Sequence, residues 1–205
     1  MAKTIVTRSV IVLYYLVHVF YKLFERPLDG RKKLQKLLFL VEHFDLKENR
    51  VTKSQKLTGY EFKIWIYGPF SEKIYEDLKS LLRNGFLQEK TITYEDVPLL
   101  IAEDIVLSGY DDDGEPRKIF YYKPSPKPFS EMIRFMEKRN HLREKIENIV
   151  KRFGEMKPYE IETFVNKLLK LTPLKKLKYW GLTVDEYLEK TANTRDKETY
   201  RGSEF

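Results

Sequence analysis

Between Ser9 and Tyr21 the chain is apolar apart from His18. A bilayer takes about 20 such residues to cross, so the run reads as a buried helix over 7–24 with Leu13, Leu16, Val17, Phe20, Leu23 and Phe24 inward. Pro27, Asp29 and Gly30 then mark a turn. Leu34, Leu37, Leu38, Val41 and Phe44 recur at helical spacing and predict a second helix over 31–44. Lys32, Lys36 and His43 fall on its opposite face. Residues 45–57 are polar and read as a loop, and an apolar strand follows near 60–66.

The best punctuated stretch is 58–87. Gly68 relaxes the backbone and Pro69 donates no hydrogen bond, so the strand is expected to stop there. Ser71 is a good N-cap, and Glu72 sits where the helix dipole favours an anion. Phe70 is placed to staple onto Tyr75. Ile74, Leu78, Leu81 and Leu82 form the apolar stripe of a third helix over 71–84. Asn84-Gly85-Phe86 predicts a Schellman ending in which Phe86 returns to Leu81.

Residues 86–123 read as β structure, with strands at Leu99–Leu107 and Ile119–Tyr122 around the turn chemistry of Asp111 to Pro116. Lys123-Pro-Ser-Pro-Lys-Pro128 reads as a stiff linker. Beyond it, Met132, Phe135, Met136, Leu142, Ile146, Ile149 and Val150 line a long helix over 129–153. At 1.5 Å per residue its length is about 36 Å. That stripe has two candidate uses: docking on neighbouring helices, or pairing with a second copy as a homodimer. A further helix opens at Pro158 and breaks at Pro173. A last one starts at Thr183 in a capping box with Glu186.

The order of elements predicts an α+β fold. It is a mostly helical, winged-helix-like domain at 1–123 with a small antiparallel sheet, a linker at 124–128, a C-terminal helical extension at 129–190 and a polar tail at 191–205. The last five residues, Arg201-Gly-Ser-Glu-Phe205, match what adjacent cloning sites encode and are left out of the fold reading.

Composition narrows the chemistry. Zero Cys excludes disulfides, thiolate metal sites and Cys nucleophiles, and suits a cytoplasmic protein. Abundant Lys and Glu beside three Gln hint at a thermophile. His18, His43 and His141 are scattered, and Asp111 to Glu115 lacks calcium-loop spacing. No phosphate loop or nucleophile elbow appears, so no enzyme and no cofactor is expected.

The net charge of +7 is uneven: +7 over 1–57, −4 over 58–128 and +4 over 129–205. Arg31, Lys32, Lys33 and Lys36, at the start of the second helix, are the candidate phosphate contacts, with Arg117 and Lys118 on the wing assisting. The third helix would present Glu72, Glu76 and Asp77 outward, which disfavours its entry into a DNA groove and favours a protein-facing surface. Trp65, Tyr67 and Phe70 are candidate interface anchors or core residues. Lys175, Lys176, Lys178, Tyr179 and Trp180 form a second basic-aromatic cluster, with Leu174 and Leu177 expected to be buried.

Lys33-Leu-Gln-Lys-Leu-Leu-Phe39, followed by Trp65, Tyr67-Gly-Pro69 and Tyr75, resembles the two signatures of the SocA/Panacea-type antitoxin domain. Gly30 to Lys36 with Tyr67 to Glu72 is also similar to YwgA-like proteins. The resemblance spans roughly 8–125 and leaves the helices after 128 outside the pattern. It implies a compact, mostly helical domain without enzymatic activity, which acts by occupying a toxin-like protein partner. The alternative reading is a winged-helix regulator of transcription that binds double-stranded DNA. No membrane partner is expected.

Overall fold

A computed structural model describes residues 7–93, 118–127 and 129–201. The apolar run forms helix α1 (Arg8–Phe24), buried along most of its length. Thr7 caps it through Oγ1. Strand β1 (Leu28–Asp29) leads to helix α2 (Arg31–His43). Two short hairpins follow. In the first, β2 (Phe44–Asp45) pairs with β3 (Arg50–Val51); in the second, β4 (Lys63–Trp65) pairs with β5 (Gly68–Phe70).

Pro69 does not end a strand, as its missing donor suggested. It sits inside β5 opposite Ile64, where a two-stranded ribbon has an outer edge that needs no N–H.

Helix α3 (Lys73–Arg83) starts one residue later than an N-cap at Ser71 predicts, with Glu72 at the N-cap position and no side-chain cap. Gln35 holds the Ser71 backbone through its N–H and carbonyl. The Schellman ending forms as expected: Phe86 N–H donates to the Leu81 carbonyl (2.9 Å) and Gly85 N–H to that of Leu82 (3.0 Å). Phe70 packs edge-on against Tyr75 at 5.5 Å, as the staple requires.

Strand β6 (Leu87–Thr93) pairs antiparallel with β7 (Lys118–Pro124), and β7 also pairs with β1, giving the sheet order β1-β7-β6. The expected strand at Leu99–Leu107 and the turn at Asp111–Pro116 lie outside the described residues. The fold is therefore mixed, mostly helical, with small antiparallel sheets.

The predicted long helix is two helices, α4 (Ser130–Glu137) and α5 (Asn140–Phe153). At about 100° per residue, Leu142 lies about a quarter of a turn, and Ile146 about a sixth, off the line of Met132 and Met136. The break at Lys138-Arg139 brings both stripes inward, and Met132, Met136, Leu142, Ile146, Ile149 and Val150 are buried within the chain. Helices α6 (Pro158–Leu168), α7 (Pro173–Lys178) and α8 (Val184–Arg201) complete the chain. The Thr183–Glu186 capping box forms.

One hydrophobic cluster joins α1, α2 and α3 to α4, α5 and α6. Helix α1 touches α3, α4, α5 and β7, while α2 touches α5, α6 and β5. Residues 129–190, expected as an extension, thus share the core of the N-terminal elements. Of the two candidate uses of the apolar stripe, docking on neighbouring helices is the one found. No helix among the described residues is long and apolar enough to cross a membrane.

Candidate functional site

The site is built from α2 outward. Its sequence looks amphipathic, yet Lys33, Gln35, Lys36, Glu42 and His43 are all buried. Leaving such a group unpaired costs about 1–3 kcal/mol; each of the five bonds to backbone or loop outside the helix, although His43 Nε2 is buried without a partner among the described residues. Lys33 donates to Asp29 (2.5 Å) and to the Gly154 carbonyl (3.2 Å). Burial pushes its pKa down, and Asp29 opposes that fall. Glu42 accepts from the Ser54 hydroxyl (2.6 Å) and from the N–H groups of Thr58 (2.7 Å) and Leu57 (3.2 Å). Burial raises its pKa, but these bonds outweigh burial and hold it below the usual carboxylate value. His43 Nδ1 lies 3.0 Å from the Thr52 carbonyl. Burial drives its pKa down, so the ring is neutral near pH 7.

Two of these side chains grip the β4–β5 hairpin. Gln35 donates from Nε2 to the Ser71 carbonyl (2.9 Å) and accepts from the Ser71 N–H (3.1 Å). Lys36 Nζ donates to the carbonyls of Tyr67 (2.7 Å) and Pro69 (2.8 Å). Desolvation brings that ammonium down to about 7, opposed by Glu162 and assisted by Lys32 and Lys176. From the other side Asn166 closes on Gly68. A Cβ built there would lie 2.2 Å from Asn166 Oδ1, and φ is +86°. Only glycine meets both conditions without strain.

The pinned hairpin presents Trp65, Ile66 and Tyr67 to solvent, each 38–47% exposed. Trp65 packs on Trp180, with ring centroids 4.2 Å apart, and stacks on Phe70 at 5.9 Å. Lys32 Nζ lies 4.7 Å from the Tyr67 ring and 2.7 Å from Glu162. Residues 181–184 run along β4, which carries Trp180 into place. Gly181 N–H donates to the Ile64 carbonyl (2.9 Å), and Ile64 N–H donates to that of Leu182 (2.8 Å).

Leu174 and Leu177, expected to be buried, are 79% and 67% exposed, and α7 buries none of its residues. Hairpin and helix together form one apolar surface. The sequence offered both halves but no sign of their contact.

The expected sites fare unequally. Trp65 and Tyr67 are exposed, and Phe70 is half-buried behind them. Glu72 and Glu76 are exposed on α3. Asp77 is not outward. It is buried and accepts the Tyr60 hydroxyl at 2.9 Å.

The basic quartet does not form a surface. Lys33 and Lys36 are interior, so neither reaches a phosphate. Lys32 is paired with Glu162. Arg31 lies 3.6 Å from the Phe120 ring centroid, donates to the Tyr122 hydroxyl (3.0 Å) and faces Glu89 (3.7 Å). Lys118 is exposed on β7, and Arg117 lies outside the described residues. Among the described residues no group of His, Asp and Glu is arranged to hold a metal.

The family described as "Antitoxin SocA-like, Panacea domain" matches residues 34–168, from α2 to the end of α6. The chain belongs to that family. No curated protein matches it. The Panacea match runs past the proline-rich stretch, which corrects the expectation that the family pattern ends near 125. In this Panacea domain the two signature runs are halves of one latch. Gln35 and Lys36 come from the first, and the backbone they hold comes from the second.

Proposed function

We propose that this Panacea-family chain is an antitoxin-type binding module that does no chemistry of its own and acts by occupying a partner protein through the Trp65–Tyr67 hairpin. The observation that carries this reading is the hairpin itself. Three large apolar side chains stand in solvent on backbone held by buried bonds from Gln35 and Lys36. Exposed aromatics on a rigid frame are what interface hot spots are made of. Membership of an antitoxin family supports the same reading. The DNA alternative loses the contacts expected of Lys33 and Lys36 and has no second observation in its favour.

The test is growth rescue. The source organism's proteins retained by the chain are expressed singly in a host with and without it. We expect one to inhibit growth, wild type to relieve that inhibition at matched amounts, and the double variant Trp65→Ala/Tyr67→Ala to fail. Relief by trace amounts of the chain indicates catalysis and sinks the binding mode. Full relief by the double variant sinks the hairpin as the binding element.

A further inference from the structure

The apolar surface has a charge to match. Residues 163–184 contain five lysines and no Asp or Glu. Lys175, Lys176 and Lys178 stand on α7 beside Leu174 and Leu177, and none of the three forms an ion pair among the described residues. Next to the hairpin Glu162 serves several cations. It pairs with Lys32 at 2.7 Å and also acts on Lys36 and Lys176, while Glu61 lies 3.8 Å from Lys63 of β4. The surface is thus an apolar strip whose α7 side carries more positive charge than Glu162 offsets. Leu174 and Leu177 share one side of α7 at i,i+3 spacing; the helix lies against β4, and Trp180, just past its end, packs on Trp65.

We infer that this strip receives an acidic amphipathic helix of the partner, its apolar face on Trp65, Trp180, Leu174 and Leu177 and its carboxylates on the lysines of α7. The inference rests on the binding reading above and adds the chemistry of the occupant. Apolar contact supplies the affinity, and the charges select the partner and speed its approach. A single-stranded nucleic acid would meet the lysines and stack bases on the tryptophans, but Leu174 and Leu177 give it no ring to stack on, whereas a helix face covers all four.

Three fluorescein-labelled helical peptides of about 18 residues, or five turns, would test it. They share one Leu/Phe face and carry Glu, Gln or Lys on the other. Binding is read by anisotropy at low salt and at about 0.15 M, where charges are screened beyond about 8 Å. We expect the Glu peptide to bind at least tenfold tighter than the Gln peptide, the Lys peptide not to bind, and salt to narrow the gap. The triple variant Lys175→Glu/Lys176→Glu/Lys178→Glu should reverse the order, and Trp180→Ala should weaken every peptide that binds. A melting curve checks that each variant is folded. Equal binding of Glu and Gln peptides, binding of none, or an unchanged order in the folded triple variant overturns the inference. The growth-rescue test on Trp65→Ala/Tyr67→Ala decides the parent reading independently. If rescue depends on the hairpin while the peptides do not discriminate, only the acidic occupant is lost.

Discussion

Lys36 ends on the carbonyl oxygens of Tyr67 and Pro69, beyond the reach of water. Its ammonium has an ordinary pKa of 10.5 and stands at about 7 in the fold. Between those values the unfolded chain holds the proton and the folded chain does not, so this residue's contribution to stability rises with pH across that window. The melting temperature of the wild type, measured relative to Lys36→Met, should climb from pH 7 towards pH 10. A constant difference would refute the assignment. Glu42 has the same sign in a lower window. Its pKa lies below the usual 4.5, so its stabilisation is complete above that value and fades as the pH falls through the folded value. Glu42→Gln should cost about 1–3 kcal/mol near neutrality and lose less on acidification, as read by denaturant titration at two pH values. Hydropathy located α2 but misassigned its faces. A lysine that reaches two carbonyls and one that waves in water are the same letter, and only the backbone opposite distinguishes them.

At the scale of elements the β4–β5 hairpin is fixed from both sides, by Lys36 below and Asn166 above. Gly68→Ala adds a Cβ where Asn166 Oδ1 already sits and where φ is +86°. Strain of that kind costs about 1–3 kcal/mol. The substitution should lower the midpoint of unfolding and change the near-ultraviolet circular dichroism of the Trp65–Trp180 pair, whereas an unaltered spectrum would mean that the hairpin does not depend on this glycine. Local rules were reliable where bonds are local, as in the Schellman end of α3 and the capping box of α8. They failed at Ser71, whose backbone is held by distant Gln35 while the helix begins without a side-chain cap. The break between α4 and α5 had no local signal: it holds no proline or glycine, and at about 100° per residue Phe135 stays in line with Leu142 and Ile146, and Val150 with Met132.

Across the whole molecule the chain closes on a single core. The proline-rich stretch read as a boundary because prolines favour extended backbone, yet Pro124 belongs to β7 and the helices beyond it cover α1 and α2. A chain ending at Lys127 would strip Tyr14 of Phe129 and Phe44 of Phe153 and Phe164. It should elute as aggregate and melt without a cooperative transition. A sharp melt would establish the N-terminal elements as an independent unit. Neither the covering of α1 nor the pairing of Trp65 with Trp180 has a local signature, so the sequence could not announce them. The latch has one more consequence. Gln35 and Lys36 bond to peptide groups, so no side chain from Trp65 to Tyr67 takes part in either grip. The tip can therefore be rewritten while the frame stays put, and a library randomised at those three positions should yield mostly folded proteins with new tastes in partner.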